Sequence, residues 1–251
     1  MNREKIDYKP LKMIDKVTIT LSEFLGTAVL LFVACMGCVP NSQNELLPES
    51  AAIVSGLAVM ITIFLFGHIS GAHVNPLTSI NAVIVGQISF KLLPFYLLAQ
   101  LTGALSGYGM LKYVTPAYRL EYTEGNHGVC ATVPHTDLTA AQALVAEIIF
   151  SLILSFANCS SWDPRNVDKA DSMPLKFGFL VGTLIMAGGT YTGASMNPFK
   201  SFAPAAWNND WERHWVYWVG PLTSAVAVPI CYRMLVLKGK NCQIPIEDSL
   251  Q

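Results

Sequence analysis

Gly71-Ala72-His73-Val74-Asn75-Pro76 and Gly193-Ala194-Ser195-Met196-Asn197-Pro198 are two copies of one hexapeptide pattern, 122 positions apart (Asn75 against Asn197). Each Asn-Pro opens a short apolar segment, 74–87 in the first copy and 196–207 in the second. Asparagine is a strong N-cap, and proline suits the first helical position because its missing N–H would be unpaired there. Each pair therefore predicts a helix that starts at the motif. These segments are too short to cross a bilayer, which takes about 20 mostly apolar residues.

Six longer apolar stretches surround them, at 17–39, 51–69, 92–114, 139–159, 175–191 and 214–237. Glu23 in the first stretch is matched by Glu147 in the fourth, at an offset of 124. Each half holds three spans and one short segment in the same order. Three crossings are odd, so the second half enters the membrane upside down, the inverted-repeat arrangement of many transporters. The predicted fold is all-α and membrane-embedded: six transmembrane helices plus two re-entrant half-helices. The channel unit covers 17–237, with halves 17–114 and 139–237, between an N-terminal tail, 1–16, and a C-terminal tail, 238–251.

Inversion brings the two half-helix starts together from opposite sides. Their positive dipole ends converge near the middle of the bilayer. The side-chain amides of Asn75 and Asn197 can donate to a passing solute, and the positive field repels cations, protons included. Upstream of each motif, irregular backbone at Gly71, Ala72, His73 and Val74, and at Gly193, Ala194, Ser195 and Met196, offers carbonyl acceptors.

The composition agrees. Of 251 residues 52% are hydrophobic and 13% charged, against roughly 25% charged in a soluble domain. The net charge of −1 suggests no nucleic-acid partner. No nucleophile–base pair, metal-ligand pattern or cofactor motif stands out, so neither an enzyme nor a metal site is expected. The six cysteines show no metal-ligand pattern, and Cys35 and Cys38, whose C-x-x-C spacing lies inside an apolar run, read as small buried thiols rather than a redox pair. Twelve of the sixteen basic residues fall on the side of the termini, among them Lys12, Lys16, Lys91, Arg165, Lys169, Lys176 and Arg233. Positive-inside bias therefore places both termini in the cytoplasm. The sequon at Asn158 then faces the wrong side for glycosylation. No cleavable signal peptide is apparent ahead of the first span.

These motifs resemble those of the major intrinsic protein, or aquaporin, family. His68 through Pro76 is similar to that family's loop B, and Tyr191 through Pro198 to its loop E. Glu23-Phe24-Leu25-Gly26-Thr27, Ala99-Gln100 and His214-Trp215-Val216-Tyr217-Trp218-Val219-Gly220-Pro221 extend the likeness. The resemblance implies a passive channel in the plasma membrane that excludes ions and protons, the selectivity account established for that family. It implies homotetramers with one pore per subunit. It also implies that Glu23 and Glu147 tie down loops B and E.

Two departures bear on what passes. The family's Asn-Pro-Ala triplets become Asn75-Pro76-Leu77 and Asn197-Pro198-Phe199, adding bulk where the half-helices meet. By resemblance, the constriction near the outer mouth falls on Ser55, Ile185, Ala194 and Lys200. Water-selective members carry a Phe, a His, a small residue and an Arg there. Ser55 and Ile185 give a wider, more amphipathic wall, and Lys200 keeps the charge while losing the planar fork of fixed donors. Ser201 and the aromatic pair Tyr217 and Trp218 depart from the bacterial glycerol facilitators. A water-channel lineage with a solute-type filter resembles the insect entomoglyceroporins.

The expectation is a channel for water, glycerol and urea. The alternatives are a water-selective pore and a non-conducting junctional or adhesion protein plugged by Leu77 and Phe199. A proton-coupled carrier would need a titratable midplane site. His73 reads as a pore-lining hydrogen bonder, with a pH gate as the alternative. Gly103 and Gly107 predict close helix approach.

Overall fold

The computed structural model describes residues 12–40, 48–120 and 127–237. Most of the N-terminal tail, all of 238–251 and Cys242 lie outside them. The described chain is helical: α1 (Met13–Met36), α2 (Pro48–Ser70), α3 (Pro76–Val85), α4 (Leu93–Val114), a single turn α5 (Ala117–Leu120), α6 (Ala140–Ser161), α7 (Met173–Thr192), α8 (Pro198–Asn208) and α9 (Val216–Leu235). Short 3₁₀ segments, Phe90–Leu92 and Pro164–Ser172, lead into α4 and α7.

Six of these helices have 20 to 24 residues. Four of them, α1, α2, α6 and α7, are apolar enough to cross a membrane on composition alone. The other two reach spanning length but dilute their apolar residues, α4 with Gly103, Gly107 and Tyr108, α9 with Pro221 and Pro229. The first helix starts four residues before the expected span, because the polar leader from Met13 continues the helix, and it stops at Gly37.

Burial is inverted relative to a soluble protein. Phe64, Phe179 and Leu98 are 71%, 69% and 62% exposed, whereas Glu23, Gln100 and Glu147 are completely buried. A lipid-facing surface gains nothing from polar groups, so they gather inside, where they can pair with one another.

Close helix contacts rest on missing side chains. A Cβ on Gly107 would run into the Ala28 carbonyl, and one on Gly103 into that of Phe24, which brings α4 against α1. Gly56 brings α2 against α7 in the same way, at Gly178. Lipid tails are as apolar as leucine, so close backbone packing of this kind carries helix association.

One tie escaped the sequence reading. Cys35 is not a thiol: it forms a disulfide with Cys130, 95 residues on. Cys38, Cys159 and Cys231 are free. The bond joins the end of α1 to the connection between α4 and α6. That connection is held further by Tyr108, whose hydroxyl donates to the Val129 carbonyl at 2.7 Å, and by Thr132, whose hydroxyl donates to Ser201 at 2.6 Å.

At the opposite end, Asp163 clamps the connection between α6 and α7. Its buried carboxylate accepts from the Arg165 backbone and guanidinium and from the Tyr232 hydroxyl. The Arg165 side chain, chiefly, holds this carboxyl below the usual carboxylate range. A depressed folded pKa contributes stability above the unfolded value, near pH 4, and that stability is lost only as pH falls through the folded value. The clamp therefore stays closed between pH 5 and 8. Asp163→Asn should lower the thermal unfolding temperature in detergent by a similar amount at pH 5 and at pH 8, and a loss seen at pH 5 alone contradicts the assignment. Gly107→Val should cost about 1–3 kcal/mol or more through overpacking, read as a lower unfolding temperature or failed membrane delivery.

Candidate functional site

The two Asn-Pro pairs do what their chemistry predicts locally. Asn75 caps α3, its Oδ1 accepting from the Leu77 N–H at 2.9 Å. Asn197 caps α8, accepting from the N–H groups of Phe199 at 3.0 Å and Lys200 at 3.3 Å. Each Asn also reaches across the repeat. Asn75 Nδ2 donates to the Met196 carbonyl and Asn197 Nδ2 donates to the Val74 carbonyl, both at 3.0 Å. A primary amide has two N–H donors. One on each Asn is committed to the opposite half, which fixes the amide's plane. The second takes no protein partner among the described residues.

The backbone ahead of each motif is unusual in the same way twice. Gly71, Ala72 and Val74 have φ of +85°, +45° and +45°, and Gly193, Ala194 and Met196 have +81°, +41° and +53°. A left-handed valine or methionine is strained and persists only where its surroundings dictate it. Here two buried carboxylates do so. Glu23 accepts from the N–H groups of His73 and Val74, both at 2.9 Å, from the Ser70 hydroxyl at 2.7 Å and from Gln100 Nε2 at 2.8 Å. Glu147 accepts from the N–H groups of Ser195 and Met196, at 3.0 and 3.1 Å, and from the Thr192 hydroxyl at 2.7 Å. With those N–H groups turned to the carboxylates, the carbonyls of Gly71, Ala72 and His73, and of Gly193, Ala194 and Ser195, take no protein partner among the described residues. They are left as acceptors.

Several supporting residues were missed in the sequence. Tyr96 OH donates to the Ser70 carbonyl at 2.6 Å, and Tyr217 OH donates to the Thr192 carbonyl at 2.7 Å. Their offset of 121 is the signal that could have exposed them. Inside each loop, position 73 bonds position 79 and position 195 bonds position 201. His73 Nδ1 lies 3.3 Å from the Ser79 hydroxyl, and the Ser195 and Ser201 hydroxyls are 2.6 Å apart. His73 is also packed by rings, with Tyr96 at 4.8 Å and Trp162 at 5.8 Å between centroids.

The substituted third residues of the motifs are packed in hydrophobic core clusters. Leu77 is fully buried with Leu154, Val181, Met196 and Ala225. Phe199 packs with Leu30, Val74 and Ala104 and meets Trp218 edge-on at 5.9 Å. Of the four expected constriction residues, Ser55 is buried on α2, Ile185 is half-buried on α7 and Ala194 is buried in the strained loop. Lys200 is half-buried in the first turn of α8, within electrostatic range of Glu147 and Cys38. Ser201, its neighbour, carries the chain of hydroxyls from Thr132 inward to Ser195.

Glu147→Gln should place amide hydrogens against donors. Each orphaned buried N–H costs about 1–3 kcal/mol, so the unfolding temperature in detergent should fall well below that of a control such as Ser160→Ala. An unchanged temperature contradicts the anchoring role.

Residues 11–232 match the family model described as Major intrinsic protein. The chain is 37% identical over 217 residues to aquaporin-4 of Mus musculus, covering 84% of this chain and 65% of that one. It is 39% identical over 211 residues to aquaporin-4 of Homo sapiens, with 82% and 63% covered. It is 34% identical over 214 residues to aquaporin-8 of Mus musculus, with 85% and 80% covered. The chain thus spans just under two thirds of the length of its aquaporin-4 relatives. Among solved structures it resembles the aquaglyceroporin from Plasmodium falciparum, with a TM-score of 0.74, 23% identity, and 88% of this chain and 97% of that chain covered. With a match that runs through both halves and relatives well above 30% identity, this chain belongs to the major intrinsic protein, or aquaporin, family of multi-pass membrane proteins.

Proposed function

We propose that this chain is a passive transmembrane channel for water and small uncharged solutes, glycerol and urea among them, that excludes ions and protons. The observation that carries the proposal is the pair Asn75 and Asn197. Each is pinned across the repeat by one amide hydrogen, which leaves the other for a permeant at the meeting point of two positive helix ends. Fixed donors there orient a solute singly, and the positive field disfavours a cation. The aquaporin relatives support water as the base permeant. Glycerol and urea rest on the filter alone, because the likeness to the Plasmodium falciparum protein concerns only the fold.

Size and polarity distinguish this filter. Ser55 and Ile185 leave a wider wall with an apolar face, against which the carbon side of a polyol lies while its hydroxyls meet Lys200 and the loop carbonyls. A filter without His, combined with Tyr217 and Trp218 in the last helix, supports an entomoglyceroporin-like member.

The disulfide supports cytoplasmic termini in a plasma-membrane channel. It forms at the end of α1 remote from the N-terminus, and disulfides persist on the oxidising side of a membrane. The basic residues at the other end support the same orientation. The family likeness supports a homotetramer.

Stopped-flow swelling of proteoliposomes tests the reading. The native chain should pass water, glycerol and urea, with no cation conductance. Ile185→His should cut the glycerol-to-water permeability ratio roughly tenfold, about 1.4 kcal/mol of barrier. A ratio that does not move refutes the filter argument, and a cation leak in the native chain refutes the assigned role of Lys200.

A further inference from the structure

The connection from α6 to α7 carries three of the basic residues that orient the chain. Arg165 is committed to Asp163. Lys169 and Lys176 are not paired with any carboxylate among the described residues. Asp168 and Asp171 stand on the same segment but do not line the space that the two lysines border. That space is a crevice of about 430 Å³ between the end of α6, the 3₁₀ segment and the start of α7.

Its walls are of two kinds. Lys169, Lys176 and Ser160 bring polar groups to it, while Met173, Phe177 and Leu180 bring apolar ones. Leu180 lies four residues past Lys176 on α7, about 6 Å along the helix axis. Phe177 and Leu180 thus form an apolar floor that runs along α7 away from Lys176, with the two ammonium groups at its rim.

The ammonium groups have capacity to spare. Lys169 Nζ donates to Asn166 Oδ1 at 3.2 Å, and Lys176 Nζ to the Lys169 carbonyl at 3.5 Å. Each has three N–H donors, so two remain on each. The α7 N-terminus adds its positive end at the same rim, with no side chain capping it.

We propose that this crevice binds an anionic phospholipid, with the phosphate between Lys169 and Lys176 and an acyl chain along Phe177 and Leu180. A free phosphate has no use for the apolar floor, and a neutral lipid has none for two uncompensated ammonium groups. Basic pockets between transmembrane helices on the cytoplasmic side hold anionic headgroups by this chemistry.

The test is thermal unfolding of the full-length chain in detergent, titrated with a short-chain phosphatidylinositol phosphate. Short-chain phosphatidylcholine and inorganic phosphate serve as comparisons. The anionic lipid alone should give a saturable rise in unfolding temperature. Lys169→Gln or Lys176→Gln should weaken its apparent affinity about fivefold, and the double variant roughly 25-fold, whereas Lys91→Gln should leave it unchanged. Both lysines are exposed, so the variants should fold, and their unfolding temperatures without lipid verify it. Equal stabilisation by phosphatidylcholine, full stabilisation by inorganic phosphate alone, or undiminished affinity in the double variant would each overturn the proposal.

Discussion

Irregular backbone in the middle of a bilayer must have its polar groups satisfied by protein, because no water or lipid can do it. Everything specific in this fold follows from how Glu23 and Glu147 meet that demand. Each carboxylate gathers two consecutive N–H groups and a hydroxyl from the loop ahead of an Asn-Pro pair. Holding those donors on one side forces Val74 and Met196 into a left-handed conformation. It also frees the preceding carbonyls on the other side. A charged side chain in a span is expensive, and here it buys a ladder of acceptors that a regular helix could not display.

The two halves reach this arrangement with different residues. Ser70 and Tyr96 serve the first loop where Thr192 and Tyr217 serve the second. His73 with Ser79 stands opposite Ser195 with Ser201. The asymmetries are also informative. Gln100 reinforces Glu23, and at the corresponding place 121 residues on stands Pro221. The second loop is reinforced instead by the connection tied down at Cys130, through Thr132 and Ser201. Support from that connection therefore reaches the loop that bears Ala194, next to Lys200 at the start of α8.

The polar interior and the lipid-facing exterior also assign different duties to the charges. Asp163 and Arg165 neutralise one another and clamp a connection to α9. Lys169 and Lys176, a few residues on, meet no carboxylate among the described residues and line a partly apolar crevice. Neighbouring charges thus divide between a structural ion pair and two lysines without a counter-charge among the described residues.

By itself the sequence determined the six spans, the two half-helices, their inversion and the caps at Asn75 and Asn197. These depend on apolar run length and on residues at most four apart, where local chemistry decides. It also marked Glu23 and Glu147, because a carboxylate inside an apolar run is conspicuous. Only the tertiary structure decided which groups those carboxylates hold, that Cys35 pairs with Cys130, that Tyr96 and Tyr217 brace the loops, and which neighbours bury Leu77 and Phe199. Each of these joins residues from 19 to more than a hundred positions apart. Their meeting depends on the direction in which a side chain leaves its helix, and that direction acquires a partner only once the inverted halves have packed.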